Sequence, residues 1–87
     1  MYLVLVYDVG IGRVIKVCHF LRQYLNWVQN SVFEGELTEA ELKKVEIGLR
    51  KRINPHEDSV TLYLIRTKKV LEKRQLGVEK ANLDRII

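Results

Sequence analysis

The chain has 87 residues, of which 47% are hydrophobic and 30% are charged, so it is expected to form one globular domain and is not a disordered protein. Its net charge of +4 and isoelectric point near 9.4 allow a polyanionic partner without requiring one. The single cysteine, Cys18, excludes a disulfide framework and a thiolate cluster within one chain. Because so small a core is only marginally stabilising, we expect an oligomer to bury further surface.

The first ten residues predict a buried strand that ends in a carboxylate. An unbroken apolar and aromatic run, MYLVLVY, precedes Asp8 and a glycine-containing loop, and such a run is typical of a strand buried on both faces. A charge at its end is costly unless it is paired, hydrogen-bonded or bound to a cation. Asp8 is therefore either a helix N-cap, an ion-pair partner of Arg13, or a metal ligand. The run is too short to span a membrane and lacks a signal peptide's basic start, so we expect a cytoplasmic protein without a membrane partner.

Two later segments have the spacing of amphipathic helices. The first is residues 13–26, with an apolar stripe at Val14, Val17, Cys18, Leu21 and Leu25. The second begins at a capping box, with Thr38 as the cap and Glu41 three residues later, and ends at Asn54-Pro55. Its exposed side carries several lysines and arginines and is either a solvated face or a phosphate-contacting surface. His19 lies off the first stripe and is expected at the surface.

The remaining segments predict extended structure. Residues 27–37 are expected to form one bent strand or two short ones, with a kink or bulge near Ser31 to Gly35 that Gly35 could supply. Residues 58–66 predict a second apolar strand beside the first, and the preceding His56, Glu57 and Asp58 predict a polar turn rather than a metal site. Residues 66–87 contain seven Lys/Arg and three Asp/Glu, and we expect this apolar and basic tail to dock, with a short strand near residues 74–78 on a sheet edge of its own or of a partner.

The order of these elements predicts the fold class. Strand, helix, extended segment, helix and strand correspond to a ferredoxin-like α+β sandwich, βαββαβ, in which two helices cover one face of a mainly antiparallel sheet. Residues 1–66 would form the core and residues 67–87 a basic C-terminal segment. Since this fold carries many functions, it does not identify one.

Particular residues resemble a known family more closely. A strand ending in Tyr7-Asp8, a helix opening at Arg13-Val14, the segment VQNSVFEGEL at residues 28–37 and the segment DSVTLY at residues 58–63 occur in this order. Together they resemble the small CRISPR-associated adaptation protein, the second of the two universal core families. The Val-Gln-x-Ser-Val-Phe-Glu-Gly motif is the most specific part, and the resemblance covers residues 1 to about 66.

The resemblance implies a symmetric homodimer whose C-terminal strands extend the partner's sheet. It implies a Mg²⁺-dependent endonuclease acting on single-stranded RNA or double-stranded DNA, and a central dimer that holds new spacer DNA between dimers of the CRISPR-associated integrase. Asp8 matches the family's metal-binding and catalytic aspartate. The resemblance places the nucleic-acid-binding or site-supporting residues at Tyr7, Arg13, Lys16, Ser31 and Phe33.

The implied metal site is incomplete within one chain. Mg²⁺ usually binds through one or two carboxylates with waters and phosphate oxygens, and a two-fold dimer would bring Asp8 and its symmetry mate to one cleft. Two other interpretations stay open: a DNA-holding subunit that does not cleave, and, further from the family, a toxin-like ribonuclease or a non-catalytic ferredoxin-like regulatory module.

Overall fold

The computed structural model describes residues 1–78, which form two helices and a five-stranded antiparallel sheet. The elements in chain order are β1 (Tyr2–Asp8), α1 (Ile11–Leu21), β2 (Asn26–Gln29), β3 (Val32–Glu36), α2 (Glu39–Arg52), β4 (Ser59–Thr67) and β5 (Val70–Gly77). The strand order across the sheet is β2-β3-β1-β4-β5. The first four strands have ferredoxin-like connectivity, so the predicted fold class is confirmed. Within the described residues, neither helix is long and apolar enough to cross a membrane.

Both helices pack on one face of the sheet, and the core lies between them and the strands. β1 contributes Leu3, Leu5 and Tyr7 to this core. Directly opposite, their neighbours on β3 and β4 point to the same face, because register partners share a side of the sheet. The helices contribute the buried residues Val17, Phe20, Leu21, Leu42, Val45 and Leu49.

The prediction that β1 is buried on both faces is wrong. Leu3 and Leu5 are fully buried, whereas Tyr2 and Val6, which point the other way, are 37% and 38% exposed. The apolar residues do alternate onto both faces, but the helices cover only one of them. We call the side without helices the open face, on which Tyr2, Val6 and Asp8 are exposed while Ser59 and Thr61 are buried. Asp8 lies on it and is exposed, so its charge does not incur the burial cost expected from the sequence.

Helix α1 is shorter than its apolar stripe predicted. It begins at Ile11 and ends at Leu21, and the chain then turns before entering β2. Leu25 is buried as expected, but it follows the helix, with its amide donating to the carbonyl of Leu21 at 2.8 Å. The apolar spacing continues past the end of the helix because a buried position is apolar whether it lies in a helix or in a turn. Phe20 is part of the core and was not part of the predicted stripe.

The extended segment resolves into two strands joined by a tight turn. Asn30 in that turn has a left-handed φ of 43°, which asparagine tolerates better than most residues. The chain reverses at Asn30 and Ser31, next to the predicted kink, but the bulge lies between Trp27 and Gln29 on β2 and Gly35 does not supply it. Gly35 instead pairs regularly with β1, and its lack of a side chain leaves room for Leu25, whose Cδ2 would lie 3.2 Å from an added Cβ.

The second half of the chain follows the prediction closely. Thr38 and Glu41 form the predicted capping box of α2, and β4 lies beside β1. The strand expected near residues 74–78 lies within the longer β5, which pairs with β4 of its own chain. The expected docking of Leu83, Ile86 and Ile87 falls outside the described residues.

Candidate functional site

Asp8 is the last residue of β1 and pairs in register with Ser59 of β4. It is exposed at the end of the central part of the sheet, on the open face. The N-cap of α1 is Gly10, and no side chain makes a cap hydrogen bond there, so the N-cap interpretation of Asp8 is wrong. The predicted partner Arg13 is engaged by two other acids, as described below. The carboxylate is thus presented to solvent at a strand end rather than used to begin the helix.

The side chains of Tyr7 and Phe33 point to the helix-covered face of the sheet, opposite to that of Asp8. The Tyr7 hydroxyl is 3.1 Å from Cys18 Sγ and donates to the Asn30 carbonyl at 3.5 Å. Phe33 is fully buried, and its ring centroid is 6.0 Å from that of Tyr7. Burial, with a contribution from Cys18, raises the pKa of Tyr7 to about 12. Tyr7 therefore stays protonated at neutral pH, and both aromatic side chains are buried on the face of the sheet opposite to Asp8.

Ser31 lies in the turn between β2 and β3, beside the end of β1. Its carbonyl accepts a hydrogen bond from the Tyr7 amide at 3.0 Å. The turn is also held by Trp27, whose indole Nε1 donates to the Asn30 carbonyl at 3.0 Å. The predicted residues Tyr7 and Ser31 are therefore brought together next to Asp8, and the contact between them is through the backbone.

Arg13 is bound by a buried carboxylate that the sequence did not single out as its partner. Asp58 is fully buried and accepts from Arg13 Nε at 2.6 Å and from Arg13 Nη2 at 2.9 Å. Arg13 Nη2 also donates to Glu57 at 3.0 Å, and the Glu57 side chain is 66% exposed. These bonds hold the pKa of Asp58 well below its usual range and raise that of Arg13. The predicted polar turn at residues 56–58 thus contains a structural carboxylate. The two adjacent acids Glu57 and Asp58 are the sequence feature that could have indicated a partner for Arg13.

The other predicted residue, Lys16, is exposed on α1, one turn beyond Arg13. His19 is exposed as expected. The exposed side of α2 presents a basic cluster, which we call the α2 basic face: Lys43, Lys44, Arg50 and Lys51. Arg50 of this face lies 3.7 Å from Glu46. Nearby arginines are also held by acids: Arg66 pairs with Glu39, and Arg74 pairs with Glu46 at 2.6 Å.

The side chains of residues 1–78 offer a magnesium ion few ligands in one place. Within residues 1–78 no three His, Cys, Asp or Glu side chains are grouped so that they could hold a metal ion. Asp8 offers one solvent-exposed carboxylate, which suits an ion that keeps several waters and binds phosphate oxygens. Within residues 1–78, Asp8 therefore fits part of a magnesium site rather than a complete one.

Comparison with known proteins identifies the family and agrees with the fold. The family model described as CRISPR associated protein Cas2 matches residues 1–73. The CRISPR-associated endoribonucleases Cas2 of Pyrococcus furiosus and Methanosarcina acetivorans are 53% and 52% identical to the chain over 87 residues, covering 100% of both sequences in each case. A crystal structure of Cas2 has a TM-score of 0.74 at 40% identity, covering 94% of this chain and 92% of that one. The crystal structure of Streptococcus pyogenes Cas2 has a TM-score of 0.69 at 29% identity, covering 80% and 99%. The chain therefore belongs to the CRISPR-associated Cas2 family.

Proposed function

We propose that the chain is a homodimeric, magnesium-dependent endoribonuclease of the CRISPR system, with Asp8 as its metal ligand and catalytic residue. The observation that carries this proposal is the exposed carboxylate of Asp8 on the open face, at the end of a strand whose neighbours fix its backbone. The name endoribonuclease given to relatives about half identical in sequence supports the reaction class.

The open face supports the dimer. Its exposed apolar side chains include Tyr2 at 37%, Val6 at 38%, Ile65 at 38% and Leu71 at 64%. Tyr2, Ile65 and Leu71 are register neighbours on β1, β4 and β5, and exposed apolar side chains that lie together can form an interaction surface. A two-fold contact between two open faces would bury these side chains and bring two copies of Asp8 toward one cleft. The partner's Asp8 would then supply a second carboxylate to the ion.

In the proposed cleavage reaction, the magnesium ion and the protein side chains have different roles. Magnesium, when bound, would polarise the phosphodiester and lower the pKa of an attacking water. Asp8 would hold the ion, and Tyr7 is excluded as a general base at neutral pH because its pKa is raised to about 12. Arg13 is held by Asp58 and Glu57, so its part is to support the site. Single-stranded RNA is the proposed substrate, and double-stranded DNA is the comparison substrate in the test.

The α2 basic face favours a second role, as the DNA-holding subunit between dimers of the CRISPR-associated integrase during spacer acquisition. Its exposed lysines and arginine have the charge that phosphate contacts require. Binding through them would weaken steeply as salt is raised, in proportion to the number of phosphates contacted. This role needs no cleavage, so loss of cleavage with spacer acquisition intact would assign the biological role to DNA holding.

The proposed nuclease is tested with Asp8→Asn and a matched control, Glu39→Gln. Glu39 is an exposed carboxylate in the first turn of α2, on the helix-covered side of the sheet and away from the open face. Labelled single-stranded RNA and duplex DNA are incubated with each protein in Mg²⁺ and in EDTA. We expect Asp8→Asn to lose about 100-fold or more of the RNA cleavage rate, as for loss of a group that stabilises transition-state charge, and Glu39→Gln to retain it.

Two outcomes would contradict the proposal. Equal cleavage by Asp8→Asn and the parent protein, or cleavage that persists in EDTA, would remove Asp8 and its metal from the reaction. A monomer by sedimentation at micromolar concentration would refute the shared site, whatever the cleavage result.

A further inference from the structure

The buried carboxylate of Asp58 has its hydrogen-bonding capacity filled by three segments of the chain. Its Oδ1 accepts from the Gly10 amide at 2.9 Å and from Arg13 Nη2 at 2.9 Å. Its Oδ2 accepts from Arg13 Nε at 2.6 Å and from the Asn54 amide at 2.7 Å. Two oxygens with four donors, including a two-pronged contact from arginine, form the strong and directional type of ion pair.

These bonds fix the chain on the C-terminal side of Asp8. Gly10 is two residues beyond Asp8, and a Cβ added to it would lie 2.5 Å from Arg13 Nη2, so the loop packs directly against the guanidinium. On the N-terminal side, the Tyr7 amide is held by the Ser31 carbonyl at 3.0 Å. The backbone that carries Asp8 is therefore anchored on both sides, once by the sheet and once by Asp58.

We infer that Asp58 and Arg13 are positioning residues for Asp8, an inference that rests on the function proposed above. Arg13 bonds to Asp58 and Glu57, and Asp58 also accepts from the amides of Gly10 and Asn54. Their pair holds the loop after β1 and thereby sets where the Asp8 carboxylate points. Because a displacement of about 1 Å in a reacting geometry can cost about 100-fold in rate, loosening this loop would lower turnover while RNA binding through other surfaces is retained.

The test uses Asp58→Asn, Arg13→Lys and a control, Glu57→Gln. Asp58→Asn keeps the shape of the side chain and replaces one accepting oxygen with a donor. Arg13→Lys keeps the positive charge and loses the two-pronged contact with Asp58. If Asp58→Asn does not fold, Arg13→Lys still tests whether the pair positions Asp8. Glu57→Gln removes the exposed partner of Arg13 and leaves the buried pair intact.

Two measurements are made on each variant after a cooperative melt confirms folding. Hydrogen exchange of the Gly10 amide is followed by NMR in metal-free protein without RNA, and kcat and KM are measured on single-stranded RNA in Mg²⁺. We expect Gly10 exchange to accelerate at least about 10-fold and kcat to fall about 10- to 100-fold, with KM within about two-fold of the parent. Glu57→Gln should match the parent protein in both.

Unchanged Gly10 exchange in the folded variants would overturn the inference, because the loop would not depend on the pair. Faster exchange with unchanged kcat would also overturn it, since the loop would then not position Asp8 for the reaction. If Asp8→Asn itself retains activity, the proposed function fails, but the Gly10 exchange still shows whether the pair holds the loop. The two failures are therefore distinguishable.

Discussion

Replacing Gly48 with alanine tests how closely the two helices pack over the sheet. A Cβ at this buried position of α2 would lie 2.0 Å from Cζ of Phe20, and 2.5 and 2.6 Å from the adjacent ring carbons. The Phe20 ring cannot move freely, because it is 8% exposed, its centroid is 5.5 Å from that of Tyr24, and the Arg52 guanidinium lies 4.2 Å over it.

The expected loss of stability follows from this contact. To reach an ordinary carbon–carbon separation of about 3.5 Å, the ring would have to shift by about 1.5 Å from its place in the core. Overpacking of this kind costs about 1–3 kcal/mol, and replacing a helical glycine by alanine returns up to about 1 kcal/mol. We therefore expect Gly48→Ala to lower the free energy of unfolding by about 1–2 kcal/mol, with a midpoint about 4–8 °C lower per kcal/mol.

Gly12→Ala is the matched control, because Gly12 is also helical and an added Cβ there meets no atom within 4 Å. It should leave stability unchanged or raise it by up to about 1 kcal/mol. Urea and thermal unfolding are followed by circular dichroism at one protein concentration, since a dimer's midpoint depends on concentration. If Gly48→Ala is as stable as the parent, the Phe20 ring moves without cost and the inferred tight packing is wrong.

Two further predictions concern the Asp58 region. Gly77 has a φ of +77°, and a Cβ there would lie 2.0 Å from the Asp58 carbonyl oxygen, so Gly77→Ala should lower the free energy of unfolding by about 2 kcal/mol or more; an unchanged urea midpoint would contradict this. Arg13 holds the pKa of Asp58 below its usual range, so the resulting stability is present above the unfolded pKa of about 3.9 and is lost as pH falls through the lower folded pKa. The urea midpoint should therefore fall more steeply below about pH 4 in the parent than in Asp58→Asn, and parallel pH profiles of the two proteins would refute this assignment.

The parts of the fold predicted correctly depended on local signals. The capping box at Thr38 and Glu41 specified the start of α2, because those two residues satisfy each other's backbone groups without help from the rest of the chain. Residues 58–66 were recognisable as a strand from their apolar and β-branched content. The end of α1 was not predictable, because Leu25 stays apolar in a turn just as it would in a helix.

The candidate site was predicted only in part. Asp8 was identified as an unusual carboxylate from its place after an apolar run, and Tyr7 and Ser31 do meet beside it. The resemblance supplied the list of residues, but not their contacts. Phe33 is fully buried, so it is placed to pack against the site rather than to contact a ligand. Its aromatic side chain alone does not distinguish these two roles in the sequence.

Residues close together in the chain encode the order of elements, the start of α2 and the carboxylate at the end of the first strand, so these features are predictable without a structure. The face of β1 that the helices cover, and hence the exposure of Asp8, depends on how distant segments pack. The same holds for the partner of Arg13, which is Asp58, 45 residues further along. Burial and pairing of charges depend on which distant segments meet, and the pattern of apolar residues along one strand does not contain that information.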